Sequence, residues 1–258
     1  MGRFDFGGSL DRAKSSDHNR TDQSVRLQTG KSCTMSATAP KKTASTAREE
    51  TQCRRRTEIL DKAIHLFATH CYAGTDTQLL ADELQVGKGT LYRYFENKKE
   101  LFLAAADHIM VKMRERIDSA IAVVDDPLEK LRVAILAYLT FFAENPDYVE
   151  LLIQERALFK DREMQTFFRY RERNLQRWRD LYRELMAEGR LREMSPDRIT
   201  DVVSDLTYGT MCANYFAHRD RAPAEQVEAI LDIVWRGVLS DSEREKMSAP
   251  QARTAATE

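Results

Sequence analysis

From Thr90 to Glu188 the chain runs for 99 residues without a glycine. Tight β-hairpins draw on glycine, often as Asn-Gly or Asp-Gly, for the positive φ of their turns. No such pair occurs anywhere in the sequence, and no β-branched run alternates with period two. The punctuation that is present belongs to helices. Four internal prolines each head an amphipathic run behind a short residue: Asp126-Pro127, Asn145-Pro146, Ser195-Pro196 and Ala222-Pro223. A proline at the first helical position forfeits no hydrogen bond, because the N–H it lacks would be unpaired there. Asp, Asn or Ser just before it can cap the free amides. Gly189 falls where the preceding run needs a C-cap. The expected fold class is all-α.

Periodicity assigns the buried faces. In the last run, about 224–240, Val227, Ile230, Leu231, Val234, Trp235 and Val238 recur at i, i+3, i+4, i+7 as one stripe. In the run before it, about 196–218, Ile199, Val202, Val203, Leu206, Thr210, Ala213 and Ala217 form a stripe. Tyr208, Met211, Cys212, Tyr215 and Phe216 widen it to most of the circumference. A helix apolar nearly all round must be covered on two sides, and the second cover expected is another copy of the chain. The run Glu163 to Glu188 sets Leu175, Trp178, Tyr182 and Leu185 on one face, with Arg and Glu on the other.

The ends read differently. Residues 1–50 hold thirteen Ser or Thr, only Phe4 and Phe6 as aromatics, and no apolar period, so they bury too little to offset the entropy of ordering. They are expected to form a disordered basic arm, and 242–258 a disordered tail. Residues 1–56 carry 12 Lys/Arg against 6 Asp/Glu in a chain of net charge −1. A basic head on an acidic body suits a polyanionic partner met at one end. Met35 opens the tract Met35-Ser36-Ala37-Thr38 and offers an internal translation start, which peptide mass mapping of the native protein would test. No apolar run approaches the ~18 residues of a bilayer span, and the N-terminus lacks a signal-peptide core, so a cytoplasmic protein without a membrane partner is expected. Cys33, Cys53, Cys71 and Cys212 form no C-x-x-C pair, which indicates neither a disulfide framework nor a zinc site. His65, His70, His108 and His218 make no H-x-x-x-H or H-E-x-x-H spacing, and no G-x-S-x-G or phosphate-cradling loop exists. No enzyme, metal or cofactor is expected.

The chemistry concentrates in Arg54–Phe102. A first helix places Leu60, Ile64, Phe67 and Cys71 on one face and ends near Gly74. Thr77 can cap the short run Gln78-Leu79-Leu80-Ala81-Asp82-Glu83-Leu84 through its hydroxyl. Gln85-Val86-Gly87 makes a tight turn into Lys88-Gly89-Thr90-Leu91-Tyr92-Arg93-Tyr94-Phe95, and Leu80, Leu84, Val86, Leu91 and Phe95 are spaced to share one small core. Two short helices, a tight turn and a bracing helix make a helix-turn-helix, expected over 53–100. An α-helix fits the B-DNA major groove with its N-terminal side chains at base edges. Lys88, Gly89 and Thr90 occupy that end, with Arg93 a turn on. Lys88 or Arg93 can donate to guanine, and the Thr90 methyl can meet a thymine methyl. Lys98 joins a positive charge to a helix N-terminus, a phosphate site.

The segment from Gly87 to Phe95, followed by Asn97-Lys98-Lys99-Glu100-Leu101-Phe102, resembles the DNA-binding signature of TetR-type transcriptional regulators. Two positions depart from that pattern. Gln85 stands where a small residue is usual, at a position needing a left-handed backbone. Gly87 replaces the Ser or Thr that commonly caps the recognition helix. The resemblance implies that Tyr92 and Tyr94 meet the DNA backbone, Gln78 the groove edge, and Thr77 a phosphate. It further implies that 101–241 is an effector-binding and dimerisation domain, with double-stranded DNA bearing a palindromic operator and a small-molecule effector as partners. Repression relieved by ligand is the commonest behaviour in such regulators. Candidate lining is Tyr138, Phe141, Phe142, Leu151, Glu155, Trp178, Tyr182, Tyr208 and Met211, nearly all of which an all-α core would need in any case. Glu155, on an otherwise apolar face, must pair with an Arg or meet a ligand; Asn214 raises the same question. The expected homodimer interface is built from the last two helices through Val234, Trp235 and Val238, with Gly209 and Gly237 permitting close approach. The rival reading is a helical adaptor or scaffold whose basic head grips acidic proteins or membrane rather than a specific DNA sequence.

Overall fold

The computed structural model describes residues 44–236, with side chains from Arg48 onward. Among these residues every regular element is a helix: α1 (Ala44–Gly74), α2 (Thr77–Glu83), α3 (Lys88–Tyr94), α4 (Lys98–Ile121), α5 (Pro127–Glu144), α6 (Pro146–Leu158), α7 (Thr166–Ala187), α8 (Pro196–Phe216) and α9 (Pro223–Arg236). The expectations for residues 1–43 and 237–258, Gly237 and Val238 included, lie outside the described residues. Helix α1 begins within the stretch expected to be loose. Its first turns are rich in Ala, Arg and Glu, strong helix formers that extend a helix anchored further on.

All four internal prolines open helices. Asp126 accepts from the Glu129 amide at 2.8 Å and Ser195 from Arg198 at 3.4 Å. Asn145 is the exception, since it alone separates α5 from α6. Its amide turns back to the Phe141 carbonyl at 2.7 Å and serves the end of α5 rather than the start of α6. Gly189 adopts φ +69 beyond α7, where the Arg190 amide returns to the Leu185 carbonyl at 2.9 Å.

Helix α4 is the central strut and packs against α1, α5, α6 and α7. Leu101, Phe102 and Ala105 enter the core that Leu60, Phe67, Leu80, Leu91 and Phe95 fill, while Met110 and Ile117 continue into the body. The head is tied to that body by polar contacts as well. Lys112 donates to Asp61 at 2.9 Å and to the Tyr148 hydroxyl at 3.0 Å, and His108 lies 3.1 Å from Asp61. Burial opposes ionisation of Asp61, but the bonds from His108 and Lys112 outweigh it and hold the carboxyl below its ordinary range.

Two regions differ from the periodic reading. Cys71 is exposed rather than on the core face: it takes φ 58, ψ 166 and breaks α1 one turn before its end. The break turns Tyr72 inward against Phe67, Phe102 and Phe159, with ring centroids 5.3–5.9 Å apart. Backbone groups freed there are taken by Gln154 of α6, which accepts from the Tyr72 amide and donates to the Phe67 carbonyl, each at 3.0 Å. The broad stripe of α8 also divides. Ile199, Val203, Thr207 and Met211 are buried, whereas Val202, Leu206 and Phe216, with Ile233 of α9, remain between 41% and 64% exposed.

Candidate DNA-binding site and effector cavity

Helices α2 and α3 stand on a core in which Leu80, Ala81, Leu91 and Phe95 are almost wholly buried. The turn between them requires φ +53 at Gln85, the left-handed conformation its sequence position called for. Arg55 of α1 donates to the Leu84 carbonyl at 3.2 Å and closes the end of α2. The cap of α2 is not Thr77 but Asp76, whose carboxylate accepts from the Gln78 and Leu79 amides at 2.6 and 2.8 Å. Those amide bonds, that of Leu79 foremost, hold the Asp76 carboxyl below its ordinary range. Thr77 has already entered the helix, so its hydroxyl is free to bond the Tyr92 hydroxyl at 3.0 Å and join α2 to α3. An acidic residue directly before a helical run was the signal for this cap.

Helix α3 starts at Gly87 with no side-chain cap, as expected for a glycine there. Lys88, Gly89, Tyr92 and Arg93 are exposed; Thr90 and Tyr94 are half-buried. Gln78 is exposed beside them and donates to Asp82 at 2.8 Å. Arg93 lies over the Tyr94 ring at 5.6 Å. The four exposed residues therefore offer one cation at the helix start, one a turn later, and a phenol on a rigidly backed helix, a set able to hold phosphates and read base edges.

Lys98 is more committed than its sequence position suggests. Its ammonium donates to the Tyr72 and Thr75 carbonyls at 2.8 and 2.9 Å and sits 4.4 Å from the Tyr72 ring centroid. Two of its three N–H donors thus secure the end of α1, leaving one for a phosphate. Asn97 caps α4 by accepting from Glu100 at 2.9 Å, and Glu100 accepts from the Glu96 amide in return.

In the body, α4, α5, α7 and α8 line a cavity of about 140 Å³ that is partly open to solvent. Its walls are Met110 and Ile117 from α4, Leu131 and Ile135 from α5, Phe167, Leu175 and Trp178 from α7, and Val203 from α8, with Arg114, Arg171, Asn174 and Arg177 among the polar residues. Of the residues expected to line a pocket, Tyr138, Trp178 and Tyr182 do so. Phe142 and Met211 border a second depression beside the α8–α9 turn. Phe141, Leu151, Glu155 and Tyr208 line neither. Phe141 packs on Phe142 and Tyr148, Leu151 is core, and Tyr208 packs at a tilt against Phe167. Glu155 takes the arginine alternative. Fully buried, it pairs with Arg162 and accepts from the Thr166 amide and hydroxyl at 3.0 and 2.9 Å, holding the α6–α7 turn. Asn214 exchanges two amide bonds with Gln226, at 2.9 and 2.8 Å. Arg171, Asn174 and Arg177 lie on an arginine-rich face that by its sequence alone reads as solvated. Here it is drawn onto α4 and α8 by Asp118, Asp201 and Asp205.

Of the residues expected at a dimer interface, Gly209 is exposed on α8 with nothing within 4 Å of an added Cβ, and Val234 and Trp235 are half-buried on α9.

Residues 59–105 match the family described as bacterial regulatory proteins, tetR family, and 124–211 match the tetracyclin repressor-like C-terminal domain. The chain is 30% identical over 118 residues to the uncharacterized HTH-type transcriptional regulator YerO of Bacillus subtilis, covering 44% of this chain and 40% of that protein. It is 27% identical over 131 residues to the nucleoid occlusion factor SlmA of Haemophilus influenzae, covering 50% and 59%. The match thus spans about half the length of these relatives. Among solved structures, the TetR family regulator PfmR of Thermus thermophilus superposes with a TM-score of 0.57 at 25% identity, over 70% of this chain and 99% of that one. The fatty acid degradation regulator FadR of Bacillus halodurans gives 0.63 at 17% identity over 71% and 96%, a likeness of fold. No helix among the described residues is long and apolar enough to cross a membrane. With its helix-turn-helix head and helical body both matched, the chain belongs to the TetR family of DNA-binding transcriptional regulators.

Proposed function

We propose that the protein is a cytoplasmic homodimeric repressor whose hold on a palindromic double-stranded operator is set by a small molecule in the α4–α5–α7–α8 cavity. The observation that carries this reading is the double role of α4. Its first turns, through Leu101 and Phe102, fill the core that supports the recognition helix α3, and its middle, through Met110 and Ile117, walls the cavity. A ligand that shifts α4 acts on the spacing of two DNA-binding heads, and so favours one population over the other. Lys88, Thr90 and Arg93 are assigned to base edges. Gln78 is assigned to the groove edge, and Thr77, Tyr92, Tyr94 and the remaining Lys98 donor to the DNA backbone. Gly89 lets the helix approach closely. The exposed apolar residues of α8 and α9 supply the second face that a dimer covers.

Selection of the protein against random genomic fragments at physiological salt, followed by footprinting, tests the reading. The expected footprint is two-fold symmetric, with half-sites a helical turn or a multiple apart. Lys88→Ala and Arg93→Ala should each relax particular operator positions by about 1–3 kcal/mol. Equal weakening on every sequence would remove both from base reading, and weak, sequence-blind binding lost at modest salt would favour the adaptor.

A further inference from the structure

Resting on the cavity as the effector site, we infer that its occupant is an uncharged, largely apolar molecule with a body about the size of a benzene ring and a carbonyl-type acceptor oxygen. Size comes first. The space between the helices measures about 140 Å³, and an apolar cavity of ~150 Å³ takes benzene, so the part of a ligand held there is about one ring. Tyr182 is 1% exposed, and its hydroxyl has no hydrogen-bond partner among the described residues. The buried Tyr138 hydroxyl finds only the Met211 thioether at 3.2 Å, a weak acceptor. Buried phenols ordinarily find a partner; Tyr138 has a weak one and Tyr182 bonds no described residue, so an acceptor on the ligand would serve both. The Nε donors of Arg171 and Arg177 are also buried and unpaired; Arg169 and Arg179 carry the same orphan away from the cavity, so the phenols carry more weight.

Charge decides between a carbonyl and a carboxylate. Arg171 lies 2.9 Å from Asp205 and 3.8 Å from Asp201, while Arg177 and Arg114 share Asp118. Three cations at the cavity thus face three carboxylates. An anionic ligand would have to displace an aspartate or bring an unbalanced charge into an apolar space, which costs far more than burying a bonded carbonyl.

The test is calorimetry on the full chain with acetophenone, ethylbenzene and benzoate, which share a ring and differ in acceptor and charge. Acetophenone is expected to bind about five- to tenfold tighter than ethylbenzene, the worth of one net hydrogen bond, and benzoate weakest. In Tyr182→Phe, with unchanged circular dichroism, the advantage of acetophenone should shrink while ethylbenzene binds as before. Benzoate binding tightest, ethylbenzene matching acetophenone, or neither acetophenone nor benzoate binding at ten millimolar would each overturn the inference. Operator affinity, measured separately, keeps the two readings distinct. The expected ligand order with operator binding unmoved supports this ligand class and removes ligand control alone.

Discussion

Gly89 is the second residue of α3 and exposed, and a methyl group added there meets nothing within 4 Å. Glycine inside a helix is about 0.5–1 kcal/mol worse than alanine, and nothing in the chain's own packing asks for it. On the proposed DNA-binding reading its use is outward, where a bare backbone approaches DNA more closely than one carrying a Cβ. Gly89→Ala is therefore expected to raise stability in urea melts by up to about 1 kcal/mol while weakening operator binding. A variant both more stable and equally tight would place Gly89 outside the interface. Gln85 shows the opposite case: a side chain is retained where the backbone turns to φ +53. That strain was legible because the turn between two short helices fixes its geometry locally. The same locality made Pro127, Pro146, Pro196, Pro223 and Gly189 readable as helix ends.

At the scale of elements, locality fails where partners come from far along the chain. The break in α1 is the clearest instance. Nothing between Phe67 and Gly74 signals a stop at Cys71, because the groups that make the break tolerable lie more than eighty residues away on α6. Gln154 supplies one acceptor and one donor, and Glu150 holds its amide from the other side at 2.8 Å. Replacing Gln154 by Leu keeps the volume but strands the Tyr72 amide and Phe67 carbonyl, for an expected loss of about 1–3 kcal/mol in chemical denaturation. Gln154→Glu retains the acceptor for Tyr72, loses the donor to Phe67, and sets a second carboxylate beside Glu150. It should fall near the leucine variant. If both variants melted like the parent, water would be serving the break and Gln154 would not be what holds head to body. The cavity was half legible for a related reason. Its aromatic wall at Tyr138, Trp178 and Tyr182 follows from helix period, but its arginines are placed by aspartates on α4 and α8.

For the whole molecule, the question is what covers α8 and α9. The apolar stripe of α8 is nearly continuous in sequence, and the fold uses only half of it: Val203 and Met211 face inward, while Val202, Leu206 and Phe216 stay outside, as does Ile233 of α9. Under the proposed homodimer these side chains form the contact, and a stable dimer of ordinary size hides about 800 Å² per partner. Leu206→Glu combined with Phe216→Glu places four charges in such a contact and disturbs no buried group of the single chain. The double variant should keep its helical circular dichroism and sediment as a monomer at micromolar concentration. It should bind the full palindrome at least ~100-fold more weakly, since both heads no longer arrive together. Binding to an isolated half-site should be unchanged, because Lys88 and Arg93 stand on a head whose core these substitutions do not reach. A variant that remains dimeric would move the interface off α8 and α9. A monomer that still held the palindrome at full strength would mean that the two heads bind independently, and a ligand could then not act through their spacing.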